Sequence, residues 1–440
     1  MKRRSFDQRW VRVFAFASLF GTLLAFWGCN KTPSLLSNGR PLPETNVRLV
    51  PESVSRSIAI NFNADSFYGA NKGTNHYPYK SVLHGNNVIK NSFVWNDGWG
   101  KPAVYIYDFA NQGGFLLVSA DSALCPVLAF IERGEYRNET LPAGVNQWAK
   151  KTMSNIALVR AGLYKPNTPA GAWGDIAGSA TSGRNAKTPT GTPGGPPPHC
   201  TITNASSVLS VGPFLATTWG QQCTYNELCG AFGVTYSCSD LLSCSDRPPT
   251  GCVATAVAQI IYYWQPANTF NYNYASMPLD YGNTEVEKLM RDAGAMVNTV
   301  YRCAVAHGSS ANETAVPPAL IFNFGFSSAT EASYDYNTVV NDITINQYPV
   351  LLSGQDTEAH EWVCDGYTST TYTYTSSCNP GIVYYAGAGN ILFHMNWGWH
   401  EVVVANDYNG WFSVTNWTIA ESGGDVDFQY AQTMTTGIHL

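Results

Sequence analysis

The sequence is short of charged residues. Only 13% of its 440 residues are Asp, Glu, Lys or Arg, whereas an average soluble domain carries roughly 25%. Beyond the N-terminus there is no patch rich in Lys and Arg, and the formal net charge is −6. Because nucleic acid binding needs clustered cations to neutralise phosphates, we predict no nucleic acid partner. The polar surface must come from Ser, Thr, Asn, Gly and Tyr, a composition typical of exported proteins.

Long hydrophobic runs are also missing, with one exception near the N-terminus. Basic residues within 2–12 precede the apolar run 13–28, and Cys29 follows. The run is short and lopsided for a membrane-spanning helix, so residues 1–29 are predicted to be an export signal. Gly28 before Cys29 resembles a bacterial lipoprotein signal, in which Cys29 is lipidated; plain cleavage and an uncleaved anchor are the alternatives. We expect a protein that is secreted or located in the bacterial cell envelope. Lipidation of Cys29 would anchor it to the membrane.

Paired C-x-x-C motifs are absent, although the chain has 11 cysteines. The cluster of Cys223, Cys229, Cys238 and Cys244 therefore does not have the spacing of a zinc site, and we predict no metal and no cofactor. In an exported protein disulfides are the default. Nine cysteines remain besides Cys29 and Cys252, so at least one of the nine stays unpaired, and the sequence does not give the connectivity.

The first folded block is predicted over residues 50–165 and is small, α+β and mostly antiparallel. The alternating segments "VYIYDF" and "FLLVSA", joined by "ANQGG", predict a β-hairpin, and "VLAFIERG" adds another strand. Apolar residues at helical spacing over 145–163 predict a helix that closes the block. Residues 166–205 are rich in Pro, Gly, Ser and Thr and lack periodicity, which predicts an exposed, protease-sensitive linker.

The second block, residues 206–440, places helices before strands. A strong helical pattern begins at Cys252, and a second one covers "VEKLMRDAGAMVNTVY". From Tyr348 onward the chain becomes a series of strands: "PVLLSG", "EWVCDGY", "TYTYT", "GIVYYA", "ILFHMNW" and "WFSVTN". This order predicts an α+β domain with a helical part and an antiparallel sheet.

Cys252 is the first candidate for chemistry. It opens the stretch "TGCVATAVAQIIYYW", residues 250–264. A cysteine at a helix start is a small buried residue, half of a disulfide, or a thiolate stabilised by the positive end of the helix dipole. A reactive thiol needs a base, and His360 is the best-placed histidine because it heads the strand "HEWVCDGY" after a loop. His394, which alternates within "ILFHMNW", is interpreted as a core residue or an orienting partner.

Two further segments favour the same site. "NWGW", residues 396–399, places an amide and two indoles at a strand end, where either group could orient an imidazole and exclude water. Gln221 lies in "WGQQCTYN", ahead of Cys252. Its side-chain amide and the backbone N–H of Cys252 would together form an oxyanion hole.

These motifs, in this order and spacing, resemble the streptopain family of papain-like cysteine proteases. The segment "GGFLLVSADSALCPVLAFIERGEY" is similar to the inhibitory pro-domain that precedes such enzymes. The resemblance implies a papain-like α+β catalytic domain, with Cys252 as nucleophile and His360 as proton acceptor. It places Gln221 at the oxyanion hole, and Asn396 and Trp397 in the segment that supports the histidine.

The sequence departs from the family pattern at three places. Glu361 stands where a small residue usually follows the histidine, His400 and Glu401 replace glycines after "NWGW", and position 223 is Cys. None of these changes removes a candidate catalytic residue.

The resemblance implies an exported cysteine endopeptidase made as a zymogen, whose partners are protein or peptide substrates and its own pro-domain. A Cys252–His360 thiolate–imidazolium pair would form a thioester acyl-enzyme, and Gly308 and Ser309 would have a minor role in substrate binding. Cleavage near Arg184 or Lys187 would release the pro-domain. The alternatives are a non-catalytic surface binding protein that keeps the fold, and another thiol acyl transferase such as a transglutaminase.

Overall fold

The structure is a computed structural model. The residues that the structure describes are 44, 47–69, 82–137, 141–166, 168, 172–173, 202–238, 246–267, 270–303, 308–355, 359–377, 379–400, 408–414 and 433–440. The predicted export segment with Cys29 and most of the predicted linker, including Arg184 and Lys187, lie outside them.

The described residues form helices and strands in an α+β order. The helices are α1 (Glu52–Asn61), α2 (Ala143–Arg160), α3 (Cys252–Trp264), α4 (Thr284–Met296), α5 (Val316–Pro318, followed by a π-helical turn Ala319–Asn323) and α6 (Tyr336–Asn341, followed by Asp342–Asn346). The strands are β1 (Ile89–Asn96), β2 (Pro102–Phe109), β3 (Phe115–Ser119), β4 (Val127–Ile131), β5 (Ile202–Val211), β6 (Ser328–Ser333), β7 (Val350–Gln355), β8 (Ala359–Ser376), β9 (Asn379–Asn396), β10 (Gly410–Ser413) and β11 (Thr433–His439).

In the first block, strands β2, β3 and β4 are buried on both faces. Alternate residues of β2 point to opposite sides: Val104 and Ile106 belong to one core cluster, and Tyr105 and Tyr107 to another. Helix α2 packs into the first cluster and helix α1 into the second. Because helices cover both faces, these strands are apolar along almost their whole length instead of alternating with polar residues.

Helix α3 is the buried centre of the second block. Every residue from Val253 to Tyr262 is buried, which fits a helix that is apolar on all sides. It ends at Gln265 in a left-handed conformation. Helix α4, beside it, begins after Asn283, whose side chain accepts the backbone N–H groups of Glu285 and Val286.

One antiparallel sheet joins the two blocks. Its strand order is β1-β2-β3-β4-β10-β9-β8-β7-β11-β6, with β5 paired to β8. Strand β10 connects the blocks because it pairs with β4 on one side, where Trp411 faces Phe130, and with β9 on the other, where Trp411 faces His394. The two-block prediction therefore describes the chain order, whereas the hydrogen-bonded sheet is continuous.

The predicted α+β class is confirmed. The structure has the predicted hairpin as β2 and β3, the next strand as β4, and helices at α2, α3 and α4. Four predicted strand segments merge in pairs into the 18-residue strands β8 and β9. Strand β5 begins at Ile202, inside the range assigned to the linker, because residues 202–211 gain a full set of backbone partners along 367–376 of β8.

The described cysteines are partly paired. Cys238 and Cys303 form a disulfide, and Cys223 is also disulfide-bonded. Among the described residues the free cysteines are Cys125, Cys229, Cys252 and Cys364. None of the helices in the described part of the chain is long and apolar enough to cross a membrane.

Candidate active site

A tight turn fixes the position of Cys252, the first residue of α3. Gly251 has φ +88°, a left-handed conformation that favours glycine, and a Cβ added there would lie 3.2 Å from the Ser309 carbonyl oxygen. Thr250 donates its backbone N–H to the carbonyl oxygen of Gln221 at 2.9 Å. The turn therefore holds the chain around Ser309 and around Gln221 beside the start of the helix.

The Cys252 thiol is free and lies among backbone donors. Burial raises its pKa to about 11, and the charge of the Glu361 carboxyl also raises it. The backbone N–H groups of Glu361, Val253 and Cys252 itself approach the sulfur and favour the thiolate, but their effect is smaller. In this form of the protein the thiol is therefore protonated at neutral pH.

His360, near the start of β8, is buried and bonded through one ring nitrogen. Its Nε2 lies 2.9 Å from the Trp397 carbonyl oxygen and 3.0 Å from the indole Nε1 of Trp399. A protonated Nε2 donates to the carbonyl, whereas an unprotonated Nε2 accepts the indole N–H, so the two partners favour opposite tautomers. Burial lowers the pKa of His360 to about 4, although the Trp397 carbonyl raises it. The imidazole is therefore neutral at pH 7.

Three indoles surround the His360 ring. Trp362 stacks on it at a centroid distance of 6.1 Å, Trp397 lies at 6.3 Å and Trp399 at 5.4 Å. Trp362 and Trp397 also contact each other at 5.1 Å, and both are fully buried. This arrangement restricts the rotation of the ring and excludes water from one side of it.

The thiol and the histidine are brought together by the backbone of β8. The N–H of Glu361 that approaches the Cys252 sulfur belongs to the peptide bond directly after His360. Among the described contacts, no hydrogen bond joins the thiol to the imidazole, whose Nε2 instead contacts Trp397 and Trp399. The predicted nucleophile and base therefore lie on adjacent elements, in a form in which both are neutral.

Gln221, the predicted oxyanion-hole residue, is buried next to the same turn. Its side-chain Nε2 donates to the Gly398 carbonyl oxygen at 3.3 Å, while the backbone carbonyl of Gln221 accepts the N–H of Thr250. The bond to Gly398 is long and leaves the second amide hydrogen for another acceptor. Gln221 thus supplies an amide donor beside the residues that precede Cys252.

Among the described hydrogen bonds, none joins Asn396 to His360. Its amide nitrogen donates to the Thr217 carbonyl at 2.6 Å and to Gln259 Oε1 at 3.0 Å, and its oxygen accepts the N–H of Gly398 at 3.3 Å. Because Gln259 lies in α3, this network ties the "NWGW" segment to the helix that begins at Cys252. Asn396 therefore positions the segment.

Trp399 is a site residue that the sequence reasoning did not select, although "NWGW" contains it. Its indole N–H contacts the His360 ring. The resemblance to the family implies that Asn396 and Trp397 support this histidine. The segment is anchored further by Asn409, whose Oδ1 accepts the N–H of Trp397 at 2.8 Å. Asn409 comes from a different loop, and no signal in the sequence marks it.

The predicted substrate-binding residues lie at the edge of this site. Ser309 packs against Gly251, and its hydroxyl is 3.3 Å from both the backbone nitrogen and the backbone oxygen of Arg302. Gly308 has φ +67° and lies near Pro249. The structure therefore brings both residues next to the turn before Cys252, with the Ser309 hydroxyl already used within its own loop.

A second polar cluster, which we call the His394 cluster, consists of His394, Asp365 and Glu132. The ring Nδ1 of His394 lies 2.6 Å from Asp365 Oδ1, and Nε2 lies 3.6 Å from Glu132 Oε2. Burial alone lowers the pKa of His394, but the charges of Asp365 and Glu132 raise it to about 10. The imidazole is therefore a buried cation between Asp365 and Glu132.

The His394 cluster connects the two predicted blocks. Glu132 comes from the first block, directly after β4, and its Oε1 accepts the Tyr68 hydroxyl at 2.7 Å and the Trp411 indole at 3.3 Å. Asp365 and His394 come from β8 and β9 of the second block. The cluster therefore lies where β4 joins β10. In the described part of the chain, no group of three or more His, Cys, Asp or Glu residues is arranged to hold a metal ion.

Comparison with known proteins relates both blocks to peptidases and their inhibitors. Residues 219–278 and 267–412 match the Peptidase C10 family, and residues 85–156 match the Spi protease inhibitor family. The chain is 22% identical over 361 residues to the "Thiol protease/hemagglutinin PrtT" of Porphyromonas gingivalis, a match that covers 73% of this chain and 35% of that protein. The chain thus spans about a third of the length of that relative.

Two solved structures from Prevotella intermedia are also similar. A prointerpain A fragment is 21% identical with a TM-score of 0.47, and the match covers 77% of this chain and 96% of the fragment. Active interpain A is 22% identical with a TM-score of 0.36, and the match covers 52% of this chain and 96% of the other.

Proposed function

We propose that the protein is an exported endopeptidase made as a zymogen. The family matches support a cysteine peptidase of the C10 type, which is a coarser assignment than the resemblance to streptopain. Residues 50–165 would be its inhibitory pro-domain, 166–205 its linker and 206–440 its catalytic domain. The observation that carries the proposal is the free Cys252 thiol at the start of α3, against the peptide bond that follows His360. Export through residues 1–29, with or without lipidation of Cys29, belongs to the same proposal.

In the proposed mechanism, His360 takes the proton of the Cys252 thiol, and the sulfur attacks the carbonyl carbon of a peptide bond. The backbone N–H of Cys252 and the amide of Gln221 donate to the resulting oxyanion. The imidazolium then protonates the leaving amine, and water hydrolyses the thioester. Trp397 and Trp399 hold the imidazole through its Nε2, which leaves Nδ1 for the thiol proton.

The neutral thiol and neutral imidazole of this form fit a latent enzyme. Burial moves the two pKa values in opposite directions, to about 11 for Cys252 and about 4 for His360, and so disfavours the ion pair. Solvation of the site on maturation would reverse both shifts. The same two pKa values also favour the alternative, a non-catalytic binding protein that retains the fold, because an unreactive buried thiol has these properties.

Peptide hydrolysis in the presence of an added primary amine tests the proposal. The purified full-length protein, allowed to mature, is expected to cleave casein and to release a product with a free carboxyl group, because water resolves the thioester. A product carrying the added amine would identify a transglutaminase-type transferase instead. If wild-type protein neither matures nor cleaves casein, the enzyme proposal fails and the binding protein remains.

A further inference from the structure

Glu361 is a buried acid. Its exposed fraction is 3%, and within the described part of the chain neither of its carboxyl oxygens has a hydrogen-bond partner. A buried carboxyl without a partner is costly, and native proteins keep few such groups. The side chain is therefore an unusual feature that needs an explanation other than stability.

The carboxyl lies beside the proposed nucleophile. The backbone N–H of Glu361 approaches the Cys252 sulfur, and the charge of its side chain acts on the thiol. The turn before Cys252 packs against Ser309, and the same loop continues to Glu313, which acts on Glu361 through its charge. Glu361 thus lies beside the proposed nucleophile and within the electrostatic reach of Glu313, in the loop that follows the predicted substrate-binding residues.

The surroundings of Glu361 carry the same negative charge. Burial, together with the charges of Glu313 and Glu331, raises the pKa of Glu361 well above its usual range. Within the described residues none of these three acids forms an ion pair, although ion pairs occur elsewhere in the same block, such as that between Lys288 and Glu285. These surroundings disfavour the ionised form of Glu361, and a cation placed beside the carboxyl would stabilise it.

The chain itself offers few cations to fill this role. Residues 206–440 contain only four Lys or Arg residues, Arg247, Lys288, Arg291 and Arg302, against twenty Asp or Glu residues. None of the four forms a salt bridge with Glu361. A strongly acidic domain also attracts cationic ligands over a distance. Residues 206–440 therefore offer Glu361 no Lys or Arg partner of their own.

We propose that Glu361 is a specificity residue that pairs with the Lys or Arg side chain of a peptide substrate, next to the bond that Cys252 attacks. The inference rests on the proposed peptidase function. Lys and Arg suit such a position because their aliphatic stems tolerate burial, while the charged end pairs with Glu361. Arginine gives the stronger preference because its guanidinium binds a carboxylate through two hydrogen bonds.

Matched substrates test this assignment. Matured wild-type enzyme is assayed with fluorogenic peptides that differ only by Arg or citrulline, its neutral isostere, at each residue flanking the scissile bond. At one position kcat/KM is expected to be at least about 10-fold higher for Arg, since charged hydrogen bonds are worth about 1.5–3 kcal/mol. In Glu361→Gln this ratio falls close to one. Glu331→Gln is the matched control, because it removes a neighbouring charge and keeps the buried carboxyl of Glu361. It is expected to lower the ratio only slightly.

The failure of this inference is distinguishable from that of the proposed function. Hydrolysis without a preference for Arg, or a preference that Glu361→Gln retains, overturns the role of Glu361 and leaves the peptidase intact. Absence of hydrolysis of every peptide by wild type overturns both. If Glu361→Gln does not fold, Glu361→Ala, which restores the small side chain typical of this position, takes its place with the same expected loss of the ratio.

Discussion

Replacing Cys252 with alanine is expected to lower peptide hydrolysis by about 10⁴-fold or more, because loss of the nucleophile in related catalytic triads removes nearly all of the rate enhancement. The variant should fold normally, since Cys252 is only partly buried and alanine is a good residue for a helix start. If the wild-type protein matures by cleaving itself, the Cys252→Ala chain should remain at full length. Gel electrophoresis and mass spectrometry of the N-terminus would follow this.

The control is Cys125→Ala, which removes another free cysteine, a buried one in the first block. Its effect should be limited to stability, because its sulfur lies 3.5 Å from the backbone nitrogen of Asn390 and takes no part in the site. Maturation of Cys252→Ala at the wild-type rate in the absence of other proteases would contradict the assigned role. His360→Ala should behave like Cys252→Ala.

Removing Glu132 is expected to have the largest effect on stability and latency. Glu132→Ala removes one of the two acidic side chains beside the buried His394 cation, and with it an acceptor of the Tyr68 hydroxyl and of the Trp411 indole. Breaking a buried ion pair costs about 3–5 kcal/mol, and we expect the lower end because Asp365 remains. Measured in the Cys252→Ala background, the free energy of unfolding in urea should fall accordingly.

The same change should accelerate maturation of the otherwise wild-type chain. The His394 cluster lies where β4 pairs with β10, so its loss weakens the attachment of the proposed pro-domain to the catalytic block. Glu135→Ala is the matched control, because Glu135 pairs with Lys90 at the exposed surface and such pairs contribute about 0–1 kcal/mol. Unchanged stability and an unchanged maturation rate in Glu132→Ala would show that the cluster does not hold the blocks together.

The pH dependence of this joint follows from His394. The charges of Asp365 and Glu132 raise its folded-state pKa to about 10, whereas an unfolded histidine titrates near about 6.5. A raised pKa means that the contribution to stability is complete below about pH 6.5 and is lost as the pH rises through about 10. The Glu132→Ala variant should lose the His394 contribution at a lower pH. Urea unfolding at several pH values across this range would measure the free energy of unfolding.

Local sequence patterns predict the elements that carry the site. The apolar run after Cys252 predicts α3 because a fully buried helix needs no polar face, and the alternation in "VYIYDF" and "FLLVSA" predicts the β2–β3 hairpin. The order of the motifs around Cys252, His360 and "NWGW" also predicts that they meet. The α+β class is therefore accessible from the sequence.

Contacts between distant segments are not accessible in the same way. Nothing in "VLAFIERG" indicates that β4 pairs with β10, or that Glu132 reaches His394. The choice between Asn396 and Trp399 as the neighbour of His360 depends on how the chain turns after β9, and hydrophobic periodicity does not report that turn. For the same reason the sequence shows Glu361 as a departure, but its burial without a partner is visible only in the fold.

The most direct test of the account is to map the covalent adduct of an epoxide inhibitor of cysteine proteases on the matured protein by mass spectrometry. The thiolate is the reacting species, so labelling reports activation by the site. The account predicts one adduct, on Cys252, and its loss in His360→Ala. Labelling of Cys125, Cys229 or Cys364 instead, or equal labelling of Cys252 in His360→Ala, would contradict a nucleophile activated by His360.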